Sequence, residues 1–211
     1  MNATTCFRIL TTGLSVATLA LVNCSCLRAE SITAIEEDWQ LQIDTPNASK
    51  SSPQINCLTA TGTDPEALRA LFLVNELGPN GGNLQLQLWD GEELLTSMDV
   101  PGSSKVLDTV GEKVTWTIRL SVSKGVLTAE VYNLTSDTWG NSTGKNTIAS
   151  ISTNTSLSEL NNYDPNVTCA GSGVEFGNAR VQKLILRKSR IYIGKQKSVE
   201  TSLERVVFQN N

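Results

Sequence analysis

Three alternating runs carry side chains suited to holding a polyhydroxylated ligand. On their polar phases stand Gln85, Gln87 and Trp89, then Thr115, Thr117 and Arg119, then Thr128, Glu130 and Tyr132. Amide, hydroxyl and guanidinium groups match the donors and acceptors of sugar hydroxyls, and an aromatic ring stacks on the flat C–H face of a pyranose. If the three runs lie side by side, Gln85, Gln87, Trp89, Arg119, Glu130 and Tyr132 converge on one exposed face as a ligand-binding patch. The same residues also compose an ordinary solvated sheet face, with Trp89 half covered by a loop.

Catalysis is harder to build from this chain. It has no histidine, which removes Ser-His-Asp and Cys-His chemistry and any histidine-built zinc or copper site, because no other unperturbed side chain titrates near neutral pH. Carboxylates remain. The pairs Glu36 with Asp38, Asp64 with Glu66 and Asp90 with Glu92 fall at a strand start and in loops or turns. There they read as solvated charges, not as the paired acid and nucleophile of a glycosidase. Asn161, Asn162, Asp164 and Asn166 are rich in oxygen, but the Asp164-Pro165 step reads first as a turn. No catalytic residue, metal site or cofactor is assigned.

Net charge is −4 and aromatic residues are 5% of the chain, which argues against a nucleic-acid partner, whose binding domain is normally strongly basic. Seven of the seventeen basic residues, Arg180, Lys183, Arg187, Lys188, Arg190, Lys195 and Lys197, fall within eighteen positions without an intervening acid. Such a stripe either attracts an acidic polysaccharide or other envelope polyanion, or protects an edge strand from pairing with another chain.

Arg8 precedes an apolar stretch over residues 9–22, and a short polar segment then ends in Leu27-Arg28-Ala29. The pattern predicts a secretory signal peptide over residues 1–29 and a secreted or cell-envelope protein with no membrane span after cleavage. Leu21-Val22-Asn23-Cys24 leaves open a lipid anchor on Cys24. Cleavage after Ala29 leaves two cysteines, Cys57 and Cys169. An even remainder in an exported chain predicts a disulfide, and closing so long a loop is worth about 4 to 5 kcal/mol in the chain-entropy model. Two buried free thiols are the other reading.

The elements that must position these groups are strands. Residues 83–89 alternate without a break, placing Leu84, Leu86 and Leu88 on one side and Gln85, Gln87 and Trp89 on the other. The same rhythm predicts strands at 35–43, 54–60, 69–76, 93–98, 113–122, 126–133 and 180–193, with hairpin turns at Asp90-Gly91 and Ser123-Lys124-Gly125. A phase break between Leu186 and Ile191 requires a bulge near residues 187–190. Leu86, Trp116, Ile118, Val131 and Leu184 take the apolar phase and should form the core, with Trp39 beside them; Trp139 lies in a polar loop over 135–146. Residues 157–163 could make one helical turn. Residues 195–211 read as a polar C-terminal tail in which Val199, Leu203 and Val206 are at helical spacing. The Asn-x-Ser/Thr sequences at Asn47, Asn133, Asn141, Asn154 and Asn166 mark polar loops. The whole predicts an all-β sandwich or barrel over residues 30–194.

The run Gly173-Val174-Glu175-Phe176-Gly177-Asn178-Ala179-Arg180-Val181, closing a domain that begins near Trp39, resembles the last strands of concanavalin A-like lectin/glucanase (LamG-like) jelly rolls. Trp116-Thr117-Ile118-Arg119 and Gly125-Val126-Leu127 stand where that fold has its central strand pair. With Glu37-Asp38-Trp39, Ser52-Pro53-Gln54-Ile55 and Leu84-Gln85-Leu86-Gln87, the chain is similar to small exported bacterial proteins of this fold that have no assigned function. The resemblance implies an all-β, two-sheet antiparallel jelly-roll sandwich with a concave polar face that holds sugar. The E-x-D-x-E motif of the glucanases is missing. These observations lead to the expectation of an exported, non-catalytic module binding polysaccharide or a cell-envelope glycan. The alternatives are a carboxylate-dependent glycoside hydrolase or lyase and a purely structural envelope protein.

Overall fold

The computed structural model describes residues 31–45, 50–76, 82–144, 146–194 and 197–210. The expected leader with Cys24, the Asn47 sequence, and Lys195 lie outside them, as does the side chain of Lys197.

Two antiparallel sheets pack against each other. The first has β1 (Ile32–Ile43), β6 (Lys113–Ser123), β7 (Val126–Ser136), β8 (Gly140–Asn141), β9 (Ala149–Asn154), β11 (Val181–Ile193) and β12 (Lys197–Gln209). Its order is β12-β11-β1-β6-β7, with β8 and β9 both on the far edge of β7. The second sheet runs β10-β2-β3-β4-β5, built from β2 (Gln54–Ala60), β3 (Arg69–Glu76), β4 (Asn83–Asp90), β5 (Glu93–Asp99) and β10 (Gly173–Phe176). Lys124 and Gly125 both take positive φ between β6 and β7, the geometry whose twist matches that of the flanking strands.

Alternation fills the space between the sheets. Leu84, Leu86 and Leu88 from β4 meet Trp116, Ile118, Val131 and Leu184 from the opposite sheet, all at most 1% exposed. Trp39 stacks on Trp116 with ring centroids 6.5 Å apart, and Phe72 reaches Trp116 from the other sheet at 5.9 Å. Trp139 is half-buried; its indole N–H donates to the carbonyls of Ser103 and Lys105, pinning the connection after β5.

Several expectations are corrected. Residues 157–163 form no helix; the helix is α1 (Pro165–Gly171), started by Asp164, whose side chain accepts from the Asn166 N–H. The C-terminal segment is not a helix or loose tail. β12 pairs with β11 along most of its length, so the strand period overrides the helical spacing of three apolar residues. β9 was hidden in a Ser- and Thr-rich stretch whose apolar phase is only Ala149 and Ile151. Asn133, Asn141 and Asn154 belong to strands and Asn166 to α1, so those sequences do not mark loops. β11 is not an edge strand, and Arg180 is not part of a surface stripe. Arg180 is buried and donates to the carbonyls of Leu107 and Asp44.

The expected Cys57–Cys169 bridge is absent, and both residues are free thiols. Burial, with the negative field of Glu37 as the next contribution, pushes the Cys57 thiol well up and the Cys169 thiol up to about 11. The thiolate is the species that oxidises, so this environment keeps both inert.

Two measurements check this architecture. Leu86→Ala should lower the unfolding free energy by about 2 to 5 kcal/mol in denaturant titration, whereas Leu94→Ala, at a 43% exposed position, should shift it by less than about 0.5 kcal/mol. Peptide-resolved alkylation without reductant should leave Cys57 unmodified in the native protein and label both Cys57 and Cys169 after denaturation.

Candidate functional site

β1 is the middle of the larger sheet, flanked by β6 and β11. Its alternation sends Ile35, Glu37, Trp39 and Leu41 into the core and Glu36, Asp38 and Gln40 to the outer face. Glu36 and Asp38 are therefore mid-strand residues facing the same way, not solvated charges at a strand start. Arg119 of β6 donates to Glu36 Oε1 at 2.6 Å, and Arg190 of β11 and the Tyr192 hydroxyl reach Glu36 Oε2 at 3.1 and 2.6 Å. Asp38 accepts from the Thr117 hydroxyl at 2.8 Å and from both terminal nitrogens of Arg190. Burial alone would raise the Glu36 pKa, but hydrogen bonds from Tyr192, Tyr132 and Arg119 outweigh it and hold the carboxyl below its ordinary value.

The network extends to β12. Glu200 pairs with Arg190 at 3.1 Å and with Lys188 at 2.9 Å, and Glu204 pairs with Arg187 at 2.9 Å. Arg187 also donates to Gln40 at 3.0 Å. Arg187, Lys188 and Arg190 of the expected stripe are thus paired with carboxylates on β1 and β12. Arg119 lies with its guanidinium carbon 4.8 Å from the Tyr192 ring centroid, a cation–π contact that fixes both side chains.

Three irregularities line up across this face. β11 carries Arg187 as an extra residue against Asp38 and Trp39 of β1. β12 fits Leu203 and Glu204 into the interval that β11 fills with Arg187 alone. β7 fits Asn133 and Leu134 opposite Trp116 of β6. Because Trp39 pairs with Trp116, all three bulges fall on one line running across the strands. Asn133 and Glu204 take positive φ, 54° and 44°, conformations that side-chain-bearing residues adopt at a cost and that concentrate at functional sites. Along the line lies a cavity of about 420 Å³ walled by Asp38, Thr115, Thr117, Asn133, Arg187, Lys188, Ser202 and Glu204. A second, of about 340 Å³, is lined on the same sheet by Glu36, Arg119, Glu130, Tyr132 and Thr147.

The six residues expected to converge do not. Arg119, Glu130 and Tyr132 line the second cavity together. Gln85, Gln87 and Trp89 lie on β4, in the other sheet, and face outward from the opposite side of the sandwich. The three runs share a phase, but phase says nothing about which sheet a strand joins. On its own face the β4 trio forms a directed chain: the Trp89 indole donates to Gln87 at 2.7 Å, Gln87 donates to Gln85, and Gln85 donates to Asp99 at 2.7 Å. Thr115 and Thr117 wall the first cavity, while Thr128 bonds Ser152 at 2.9 Å and stays outside both.

Asp38, Asn133, Arg187 and Glu204 were visible in the sequence only as an acidic pair, a glycosylation-like sequence, a basic stripe and part of a tail. For Asp38 a signal was present, the polar phase of β1 set against Trp39, Leu41 and Ile43. Among the described residues, no group of three or more Cys, Asp or Glu side chains is placed to hold a metal ion, and no helix is long and apolar enough to cross a membrane.

Glu37 has the opposite environment from its neighbour Glu36. It is fully buried and accepts from Thr59 at 2.8 Å, Tyr163 at 2.8 Å and the Trp39 indole at 3.2 Å. Desolvation outweighs these bonds and raises its pKa from 4.5 to about 7. The carboxyl nearest to a general acid in its titration is therefore sealed between the sheets.

Compared with known families, the chain matches no family model, and no curated protein matches it.

The two glutamates make opposite contributions to stability. Between pH 4.5 and 7 the folded state keeps the Glu37 proton that the unfolded chain releases, so this contribution falls as pH rises, by on the order of 3 kcal/mol. The Glu36 contribution is present above the unfolded carboxylate value and is lost as pH falls through the lower folded one. The difference in unfolding free energy between Glu37→Gln and wild type should therefore change steadily in favour of the variant from pH 4.5 to 7 and level off above. A pH-independent difference would contradict this assignment.

Proposed function

We propose that the protein is an exported, non-catalytic carbohydrate-binding sandwich whose site is the bulge-lined groove on the outer face of the larger sheet. The observation that carries the reading is the alignment of three bulges over one cavity whose polar walls are held in place by ion pairs. Bulges re-aim side chains and recur next to functional sites, and groups fixed before a ligand arrives lose less entropy on binding. The walls offer carboxylate acceptors, guanidinium donors and hydroxyl or amide groups, the mixture that sugar hydroxyls require. The resemblance to concanavalin A-like jelly rolls supports the same reading, and the leader pattern supports export.

The position of Glu36 and Asp38 favours one rival, a carboxylate-dependent glycoside hydrolase or lyase. A hydrolase of this kind needs one carboxyl held protonated as the acid and a second carboxylate across the scissile bond. Glu36 is instead held ionised by Tyr192, Tyr132 and Arg119, Asp38 is engaged by Arg190, and the proton-retaining Glu37 cannot be reached from the groove. Binding fits these charges better than turnover.

A glycan array followed by calorimetry on the full chain tests the assignment. Thr115→Trp, which fills the groove from a partly exposed position, should abolish binding of an array-positive glycan without loss of folding. Trp89→Ala, on the opposite face, should leave its affinity unchanged. The reverse pattern would move the site to β4, and release of shortened products from the glycan would restore the hydrolase.

A further inference from the structure

The ion pairs around the groove also restrict what it can hold. Resting on the glycan-binding reading above, we infer that the site takes uncharged oligosaccharides and discriminates against uronate-bearing and sulfated chains. Arg119, Arg187 and Lys188, which line the two cavities, and Arg190 beside them on β11 are already committed: Arg119 to Glu36 and Glu130, Arg190 to Glu36, Asp38 and Glu200, Lys188 to Glu200, and Arg187 to Glu204. An anionic ligand that approaches these donors either displaces a carboxylate of the protein or takes an N–H directly beside one. Glu36, with its side chain 8% exposed, and Asp38 project from a central strand into this network, so in either case a protein carboxylate remains beside the incoming charge. Like charges held close in a partly desolvated groove repel strongly.

A neutral hydroxyl meets no such conflict. It donates to a free carboxylate lone pair and accepts from an unused guanidinium N–H, and thus joins the network without breaking a pair. Lys113 and Lys183, which flank Gln42 on the same face, line neither cavity. The net charge of −4 acts in the same direction at longer range.

The discrimination can be relieved at β12. Glu200 and Glu204 have side chains 52% and 53% exposed, so neutralising them strands no buried charge, yet it frees Lys188 and Arg187 to meet a ligand anion. The test is calorimetric titration of the full chain with two sets of oligosaccharides. The neutral set is gluco-, manno-, xylo- and chito-oligosaccharides; the acidic set is oligogalacturonate, oligoalginate and heparin-derived chains. Wild type should bind at least one neutral series, with every acidic series at least tenfold weaker. The Glu200→Gln/Glu204→Gln double variant should gain tenfold or more for acidic chains, and the gain should shrink as salt is raised. Wild-type binding of an acidic series as tight as that of any neutral one overturns this inference while leaving the glycan site standing. A folded double variant that gains nothing also overturns it. Failure of wild type to bind either set removes the glycan reading and this inference together.

Discussion

The period of two along β1 is the constraint on which the rest depends. Glu36, Glu37 and Asp38 are consecutive, yet the pleat sends the middle one between the sheets and the outer two onto the exposed face. On the exposed face each carboxylate meets a guanidinium from a neighbouring strand, and Glu36 is held ionised. Inside, Glu37 meets only hydroxyls and an indole N–H, and it keeps its proton to about pH 7. One strand thus supplies an ion-paired outer face and a sealed carboxyl from adjacent acidic residues.

Because β1 is central, its outer face is shared by partners on both sides. β6 contributes Arg119 and Thr117, β11 contributes Arg190 and Tyr192, and β12 extends the pairing through Glu200 and Glu204. A regular sheet would present these side chains as a flat array. The extra residues at Arg187, at Glu204 and at Asn133 break the array along one line and open the groove there. The strain implied by two side-chain-bearing residues at positive φ is held by strong pairing above and below each bulge.

Much of the fold was legible because strand alternation is a local property. The 54–60 and 69–76 strands fall at the expected residues, the core positions Leu86, Trp116, Ile118, Val131 and Leu184 are buried, and the bulge near residues 187–190 is present at Arg187. The site was legible only in pieces. Arg119, Glu130 and Tyr132 line one cavity, but Gln85, Gln87 and Trp89 belong to the other sheet, and sheet membership is a long-range property that period two does not encode. β12 was misread because Val199, Leu203 and Val206 mimic a helical stripe. Without β12, Arg187, Lys188 and Arg190 look like free positive charge when they are paired. The expected disulfide rested on counting cysteines and carried no information about the thiols' surroundings.

The central claim is that the ligand face is the creased outer surface of the larger sheet. The most direct measurement is backbone amide chemical-shift mapping of the isotopically labelled chain during titration with a neutral oligosaccharide that binds it. The account predicts that the perturbed amides cluster at Asp38, Thr115, Thr117, Asn133, Arg187 and Ser202, with Gln85, Gln87 and Trp89 unmoved. Perturbations centred on β4 and β5, with the groove silent, would contradict it.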